Sequence, residues 1–178
     1  MIFPEAVGLE HASAATFGML IRIVAVGQRM PRWVDSAVAD YLKRLPPEIR
    51  IEVCAVKAET RGTDSRKPAA TQSLLSREAQ RIRAQVPPRS KLVVLDERGE
   101  DLDTLALAQR LRDWQLAAAP VAIVIGGPDG IEPQLRGEAQ QTIRLSSLTL
   151  PHALVRVLLA EQLYRAWSVN AQHPYHRE

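Results

Sequence analysis

The 178-residue chain contains one cysteine, Cys54, and so cannot form an internal disulfide. A domain of this length buries enough apolar surface to fold without one. Cys54 falls in the alternating stretch Ile49-Arg-Ile-Glu-Val-Cys-Ala-Val56, which reads as a strand carrying a packed, inert thiol. The absence of pairing fits the reducing cytoplasm. Apolar runs are short as well: none approaches the roughly 18 residues of a membrane span. Residues 1–18 hold no lysine or arginine, so they lack the basic region of a secretory signal and the arginine content of a transit peptide. Met19 stands directly before Leu20-Ile-Arg-Ile-Val-Ala-Val26. Residues 1–18 are therefore expected to be an extension, and 19–178 a single domain.

An excess of one charge sign is also missing. Against 23 lysines and arginines stand 20 acidic residues, a net +3, too mild a bias to indicate a nucleic-acid binder by itself. Lys57, Arg61, Arg66 and Lys67 nevertheless gather in one glycine- and proline-containing loop, opposed only by Glu59 and Asp64. Such a loop can face phosphate or simply solvent. The dinucleotide fingerprint G-x-G-x-x-G and the phosphate-cradling loop G-x-x-x-x-G-K-[ST] are both absent, which removes the usual NAD and ATP readings.

What is present is an alternation of strand and helix patterns, the mark of an α/β fold. Strands are expected at 20–26, 49–56, 91–96, 121–125 and 142–145. After Pro31, residues Trp33, Val34, Ala37, Val38, Tyr41 and Leu42 recur at helical spacing. Further helices are expected at about 69–86, 103–118, 132–141 and 152–171. In the 103–118 helix, Leu105, Ala108, Leu111, Arg112 and Gln115 fill core and rim positions. Leu154, Val155, Leu158, Leu159, Leu163, Ala166 and Trp167 form the buried stripe of the last. Val121 to Ile125 is apolar on both faces, as expected of a central parallel strand, and Glu97 to Leu102 reads as a turn.

Three polar clusters follow that central strand. Gly126-Gly127-Pro128-Asp129-Gly130 sits at a strand's carboxyl end, where open α/β sheets bind ligands. Paired glycines let backbone approach a ligand closely. Leu145-Ser-Ser-Leu-Thr-Leu150 mixes apolar side chains with hydroxyls and can wrap an aromatic ring or cap the next helix. Leu95 can form an opposite apolar wall. The tail, His173-Pro-Tyr-His-Arg-Glu178, offers His173, Tyr175, His176 and Arg177 for stacking, proton handling and phosphate contact. No cysteine or suitably spaced carboxylate joins these histidines, so no metal is expected. Glu161 and Arg165 stand at i and i+4, as an ion pair. Arg156 interrupts the apolar stripe and suits a polar pocket or a subunit interface.

Taken together, Leu20-Ile-Arg-Ile-Val-Ala-Val-Gly-Gln-Arg-Met-Pro31, Tyr41-Leu-Lys-Arg44, Ile125-Gly-Gly-Pro-Asp-Gly130, Leu148-Thr-Leu-Pro-His152, Leu163-Tyr-Arg-Ala-Trp167 and His173-Pro-Tyr-His-Arg-Glu178 resemble the small SPOUT (trefoil-knotted) methyltransferases that act on N3 of a pseudouridine in bacterial 23S ribosomal RNA. The resemblance implies an open parallel sheet flanked by helices, a carboxyl-terminal trefoil knot, and a homodimer built on the last helix. It also implies S-adenosylmethionine held in a bent form by Leu95, Gly126, Gly127 and Leu145, Ser146, Ser147, Leu148, Thr149 and Leu150. The tail, with Arg156, would meet RNA on the assembled ribosome, with no membrane involved. A knotted methyltransferase for transfer RNA, and a non-catalytic ribosome-associated factor, are the alternatives.

Overall fold

A computed structural model describes residues 18–61 and 68–176. Its elements are β1 (Met19–Val26), α1 (Arg32–Leu42), β2 (Ile49–Val56), α2 (Pro68–Arg83), β3 (Lys91–Asp101), α3 (Thr104–Leu116), β4 (Val121–Ile125), α4 (Pro133–Glu138), β5 (Gln141–Arg144) and α5 (His152–Asn170). The five strands form one sheet in the order β2-β1-β4-β3-β5, and every pairing is parallel. Parallel neighbours need crossover connections, which place helices on both faces. The α/β class with a helix-flanked parallel sheet is therefore observed.

Alternation along each strand divides the core in two. Ile21, Ile23, Ala25, Val121, Ile123 and Ile125 face α3 and α5, meeting Leu107, Leu111, Trp114, Leu159 and Leu163. Val24, Val26, Val94, Ala122 and Val124 face α2 and α4, meeting Ala79, Ile82 and Leu135. Each buried aliphatic side chain contributes about 1.5–3 kcal/mol, so β4, buried at all five positions, anchors both layers. The α1 helix lies outside α5, with Val34 and Val38 against Ala160. Among the described residues, no helix is long and apolar enough to cross a membrane.

Some expectations need correction. Leu105 is 58% exposed and Leu154 41% exposed, whereas Trp114 is 1% exposed. The indole of Trp114 is accepted into the core because its Nε1 donates to Gln141 Oε1 at 3.0 Å. Cys54 is only half-buried, and its thiol donates to Gln85 Oε1 at 3.1 Å. Arg66 and Lys67 of the basic loop lie outside the described residues. The remaining cations of that loop do not stand free together, since Arg61 is paired with Asp129 at 2.7 Å.

The largest correction concerns β3. Instead of turning at Glu97, the chain stays extended to Asp101. Ile143 of β5 pairs first with Leu95 and again with Glu100, so the intervening residues arch over β5. At the top of the arch a Cβ on Gly99 would lie 2.5 Å from the Ile143 carbonyl carbon and 2.7 Å from its nitrogen. Backbone cannot yield as a side chain can. Gly99→Ala should therefore destabilise the fold by about 1–3 kcal/mol, read as a melting temperature lower by about 2–12 °C; an unchanged melting temperature would disprove the close approach.

Candidate active site

The carboxyl ends of β3 and β4 and the loop after β5 enclose a cavity of about 840 Å3, within the range of small-molecule sites. Leu95, Gly126, Gly127, Leu145, Ser147, Leu148, Thr149 and Leu150 all line it. The structure thus brings together every residue expected to hold the methyl donor except Ser146, whose Oγ accepts the Leu148 N–H at 2.9 Å and braces the loop from within. Ile125 and Val155 add apolar wall; Asp96, Arg136, Arg144 and His152 add polar groups. Asp96 accepts the Arg98 N–H at 3.0 Å and a longer bond from Arg136 at 3.4 Å. It had been read only as the end of a strand, although a carboxylate at the carboxyl end of a parallel strand is where ligand-facing groups are found.

Packing dictates the glycine pair. A Cβ on Gly126 would lie 2.5 Å from Ile131 Cγ1 and 2.7 Å from the Gly130 carbonyl oxygen. On Gly127 it would meet Glu78 Oε2 at 3.0 Å, Val26 Cγ1 at 3.2 Å and Arg61 Nη2 at 3.6 Å. Gly127 lines the cavity and also backs onto Glu78 and Arg61, which with His152 and Arg156 make up a second polar group.

That second group was largely missed by sequence reasoning, because its members come from the loop after β2, from α2 and from α5. Glu78 is 2% exposed and accepts the Glu59 N–H at 2.8 Å. Arg156, 6% exposed, donates from Nη2 to the carbonyls of Val26 at 3.1 Å and Gly27 at 2.5 Å. This is the polar role expected from its position in the stripe. Arg61 Nη2, Arg156 Nε and His152 Nδ1 are all shut off from solvent and have no hydrogen-bond partner. Each such atom, left without a partner, costs about 1–3 kcal/mol, and Arg61 Nη2 stands 3.9 Å from the buried Glu78 carboxylate. Burial, then the charges of Arg156 and Arg61, push the His152 pKa down, against the opposing effect of Glu78. Burial likewise lowers the Arg156 pKa, with Asp35 acting against it.

The tail lies elsewhere. Tyr175 donates to Glu161 Oε1 at 3.1 Å, its ring packs on Tyr164 with centroids 4.7 Å apart, and the Arg165 guanidinium covers it at 4.9 Å. Burial, with help from hydrogen bonds to Tyr41 and Glu161, pushes its pKa up to about 12, so it stays a phenol, and its ring is already packed at a tilt against Tyr164. Glu161 also accepts two bonds from Arg165, at 2.9 and 2.6 Å, which confirms the expected ion pair. His173 rests against Trp167 at 5.5 Å and its Nδ1 accepts the Tyr175 N–H at 3.2 Å. His176 buries an unpartnered Nδ1; Arg177 lies outside the described residues. Glu161 and Tyr164 are nine residues beyond the pocket-lining His152 and Val155. Nine residues are two and a half turns, so the tail platform is on the opposite face of α5 and about 14 Å along it. Among the described residues, none of the tail lines the cavity.

The lowered His152 pKa makes a stability prediction. Just below pH 6.5 the unfolded chain binds more protons than the folded one, so stability falls as pH drops from about 6.5 through the folded pKa. Asp40, Glu52, Glu59, Asp101 and Glu138 are all held below ordinary carboxylate values, chiefly by arginine or lysine hydrogen bonds, so their losses come at lower pH. Urea unfolding at about pH 7.5 and about pH 5.5 should show a smaller loss for His152→Gln than for the parent; equal losses would contradict a buried neutral imidazole.

Comparison with known proteins matches this arrangement. The family described as "Predicted SPOUT methyltransferase" matches residues 19–176. A protein of Acidovorax ebreus (strain TPSY) named "Ribosomal RNA large subunit methyltransferase H" is 59% identical over 160 residues, covering 90% of this chain and all of the relative. Proteins of the same name from Paracidovorax citrulli and Ralstonia nicotianae are 58% and 54% identical, over 90% and 89% of this chain and 100% and 99% of their own. In fold alone, the chain is similar to a probable methylase family protein from Haemophilus influenzae Rd KW20, with a TM-score of 0.51 and 14% identity, over 89% of this chain and 70% of that one. A helix-flanked parallel sheet with its cavity between the glycine turn and the loop after β5, matched from residue 19 to 176, places the chain in the SPOUT methyltransferase family.

Proposed function

We propose that this chain uses S-adenosylmethionine to methylate N3 of a pseudouridine in 23S ribosomal RNA, on the assembled ribosome and as a homodimer. The observation that carries the reading is the single cavity that gathers Leu95, the glycine pair and the Leu145–Leu150 loop. Its apolar walls suit an adenine, and Asp96, Ser147 and Thr149 suit ribose and amino-acid groups. The relatives' shared name supplies the ribosomal substrate.

When bound, S-adenosylmethionine supplies a methyl group on a sulfonium, a strong electrophile. The protein's own work is to hold the two reactants in line, exclude water and accept the N3 proton. Leu95, Leu145 and Leu150 would hold the donor, while Gly126 and Gly127 let the turn pack closely on Ile131, Gly130 and Val26. The tail residues His173, Tyr175, His176 and Arg177 contact the RNA. A tail on the far face of α5 cannot cover its own cavity, so a second copy must bring it there. Leu154 and Trp33, exposed on α5 and α1 at 41% and 52%, provide apolar surface for that isologous contact.

The test is transfer of labelled methyl to ribosomes from cells lacking the gene, with mass mapping of the product. One methyl on N3 of a pseudouridine is expected, lost in Gly127→Trp, whose side chain would run into Glu78, Val26 and Arg61 and displace the cavity wall that Gly127 forms. Labelling of transfer RNA instead would favour the alternative, and equal labelling of a naked RNA fragment would overturn the ribosomal requirement. Mixing Gly127→Trp with a chain truncated after Gln172, each inactive alone, should restore activity to about a quarter of wild type, because half the dimers are mixed and each has one complete site. No recovery would show that each chain uses its own tail.

A further inference from the structure

In sequence, the loop after β2 is open to two readings, a phosphate-facing patch or a solvated turn; the structure gives its Arg61 a third. Glu59 anchors the loop to α2. Its N–H donates to the buried Glu78 carboxylate at 2.8 Å, and its own carboxylate takes Arg77 at 3.0 Å and also Arg81. From that anchorage Arg61 reaches a residue 68 positions away in sequence, in the glycine turn after β4. Its Nε donates to Asp129 Oδ2 at 2.7 Å, and its Nη1 turns back to the Glu59 carbonyl at 3.3 Å.

A second contact falls on the same turn. Arg61 Nη2 stands 3.6 Å, and Glu78 Oε2 3.0 Å, from the place a Gly127 Cβ would take, so guanidinium and carboxylate back a residue with no side chain of its own. Arg61 therefore meets the turn at 127 and at 129, and both residues line the cavity. Within the turn, the Gly130 N–H donates to the Gly127 carbonyl at 2.9 Å. That bond closes the turn on itself and leaves its orientation to contacts from other elements. With three glycines in five residues, and Gly130 at φ +84°, the segment has wide backbone freedom unless it is held from outside. We infer that Arg61 is a positioning residue for the methyl donor: by bonding Asp129 and backing Gly127, it holds the 126–130 wall of the cavity in its binding shape.

The inference rests on the methyltransferase reading and adds to it a residue outside the cavity lining that sets donor affinity. The side chains of Arg61 and Asp129 are 27% and 34% exposed, so their pairing weighs little in the stability of the whole fold. Its effect falls on the shape of one turn. When only a fraction of molecules hold the binding shape, apparent affinity falls by that fraction, whereas every molecule that has bound the donor is in the right shape. Positioning is thereby separable from catalysis: without the Arg61 contact the donor binds more weakly, but transfer from bound donor proceeds at its normal rate.

Calorimetry of S-adenosylmethionine and S-adenosylhomocysteine binding to the full chain, with single-turnover methylation of ribosomes at rising donor concentration, tests this role. Arg61→Gln and Asp129→Asn should each raise the donor dissociation constant about tenfold, as when about one molecule in ten holds the turn in place. The rate at saturating donor should stay within about twofold of wild type. The double variant should bind no more weakly than either single one, because both substitutions remove the same contact. Additive losses would make Asp129 a donor contact in its own right and overturn the inference. Unchanged affinity in both single variants would overturn it whatever their melting temperatures, and so would a large fall in rate at saturating donor. Binding is measured without ribosomes, which keeps the substrate question apart. A wild-type protein that binds both compounds and shows the non-additive loss, yet leaves ribosomes unmethylated, would refute the ribosomal substrate and keep the positioning role. A wild-type protein that binds neither would refute the donor reading and this inference together.

Discussion

Ile143 is paired by two separate parts of one strand, Leu95 before the arch and Glu100 after it, and the cavity depends on that constraint. The second pairing locks β5 where its exit must carry Leu145 to Leu150 across Leu95. The contact is backbone against backbone at Gly99, so it leaves little room for the loop to drift. Arg144, the last residue of β5, is held by Asp101 at 2.6 Å, which fixes the loop's point of departure. At the other end the loop runs into α5, whose Leu159 and Leu163 are sealed in the core. Both ends being fixed, the wall of the donor cavity is preformed, and binding need not order it. Preorganisation of this kind reduces the entropy lost on binding.

Arg156 presents the opposite economy. A buried guanidinium loses its hydration, and an apolar side chain of similar volume often packs there at lower cost. In this chain it is held by two carbonyls at the end of β1, which ties α5 to the central sheet, yet its Nε is left unpaired. The tie alone does not require the charge. Burial first, and then the Arg156 charge, push the His152 pKa down, in a place where solvent does not reach its Nδ1.

Much of this was legible in the sequence, because it is local. The strands 49–56 and 121–125 and the starts of α1 and α5 follow from alternation, helical spacing and proline placement. The cavity-lining residues were legible because the glycine pair and the 145–150 loop flank strand ends. What escaped was non-local. Glu97-Arg-Gly-Glu-Asp101 looks like a turn, since polar residues around a glycine carry no strand pattern, and only pairing with β5, more than forty residues on, makes them extended. Trp114 was overlooked because its neighbours are polar and its partner, Gln141, lies on another element. Leu105 and Leu154 show the converse error, since helical spacing identifies a face but not what covers it. The Arg61, Glu78, His152 and Arg156 group has no spacing signature at all, as it forms only where three segments converge.

The position of the tail follows from one helix serving two sites on opposite faces. His152 and Val155 turn toward the cavity, while Glu161 and Tyr164, half a turn round, hold the tail. Glu161 is bound by Arg165, by Tyr175 and by Gln162 at 2.6 Å, so its carboxylate sets where the tail can lie. A tail so held cannot also swing onto its own cavity without breaking those bonds and the ring contact with Tyr164. The alternative is geometrically simpler: each α5 presents its tail to a neighbour and its first turn to its own donor. On that arrangement the donor cavity is complete in one chain, but the cover over the acceptor is supplied only by assembly. On the proposed function, a lone chain would hold the methyl donor without enclosing the base that receives it.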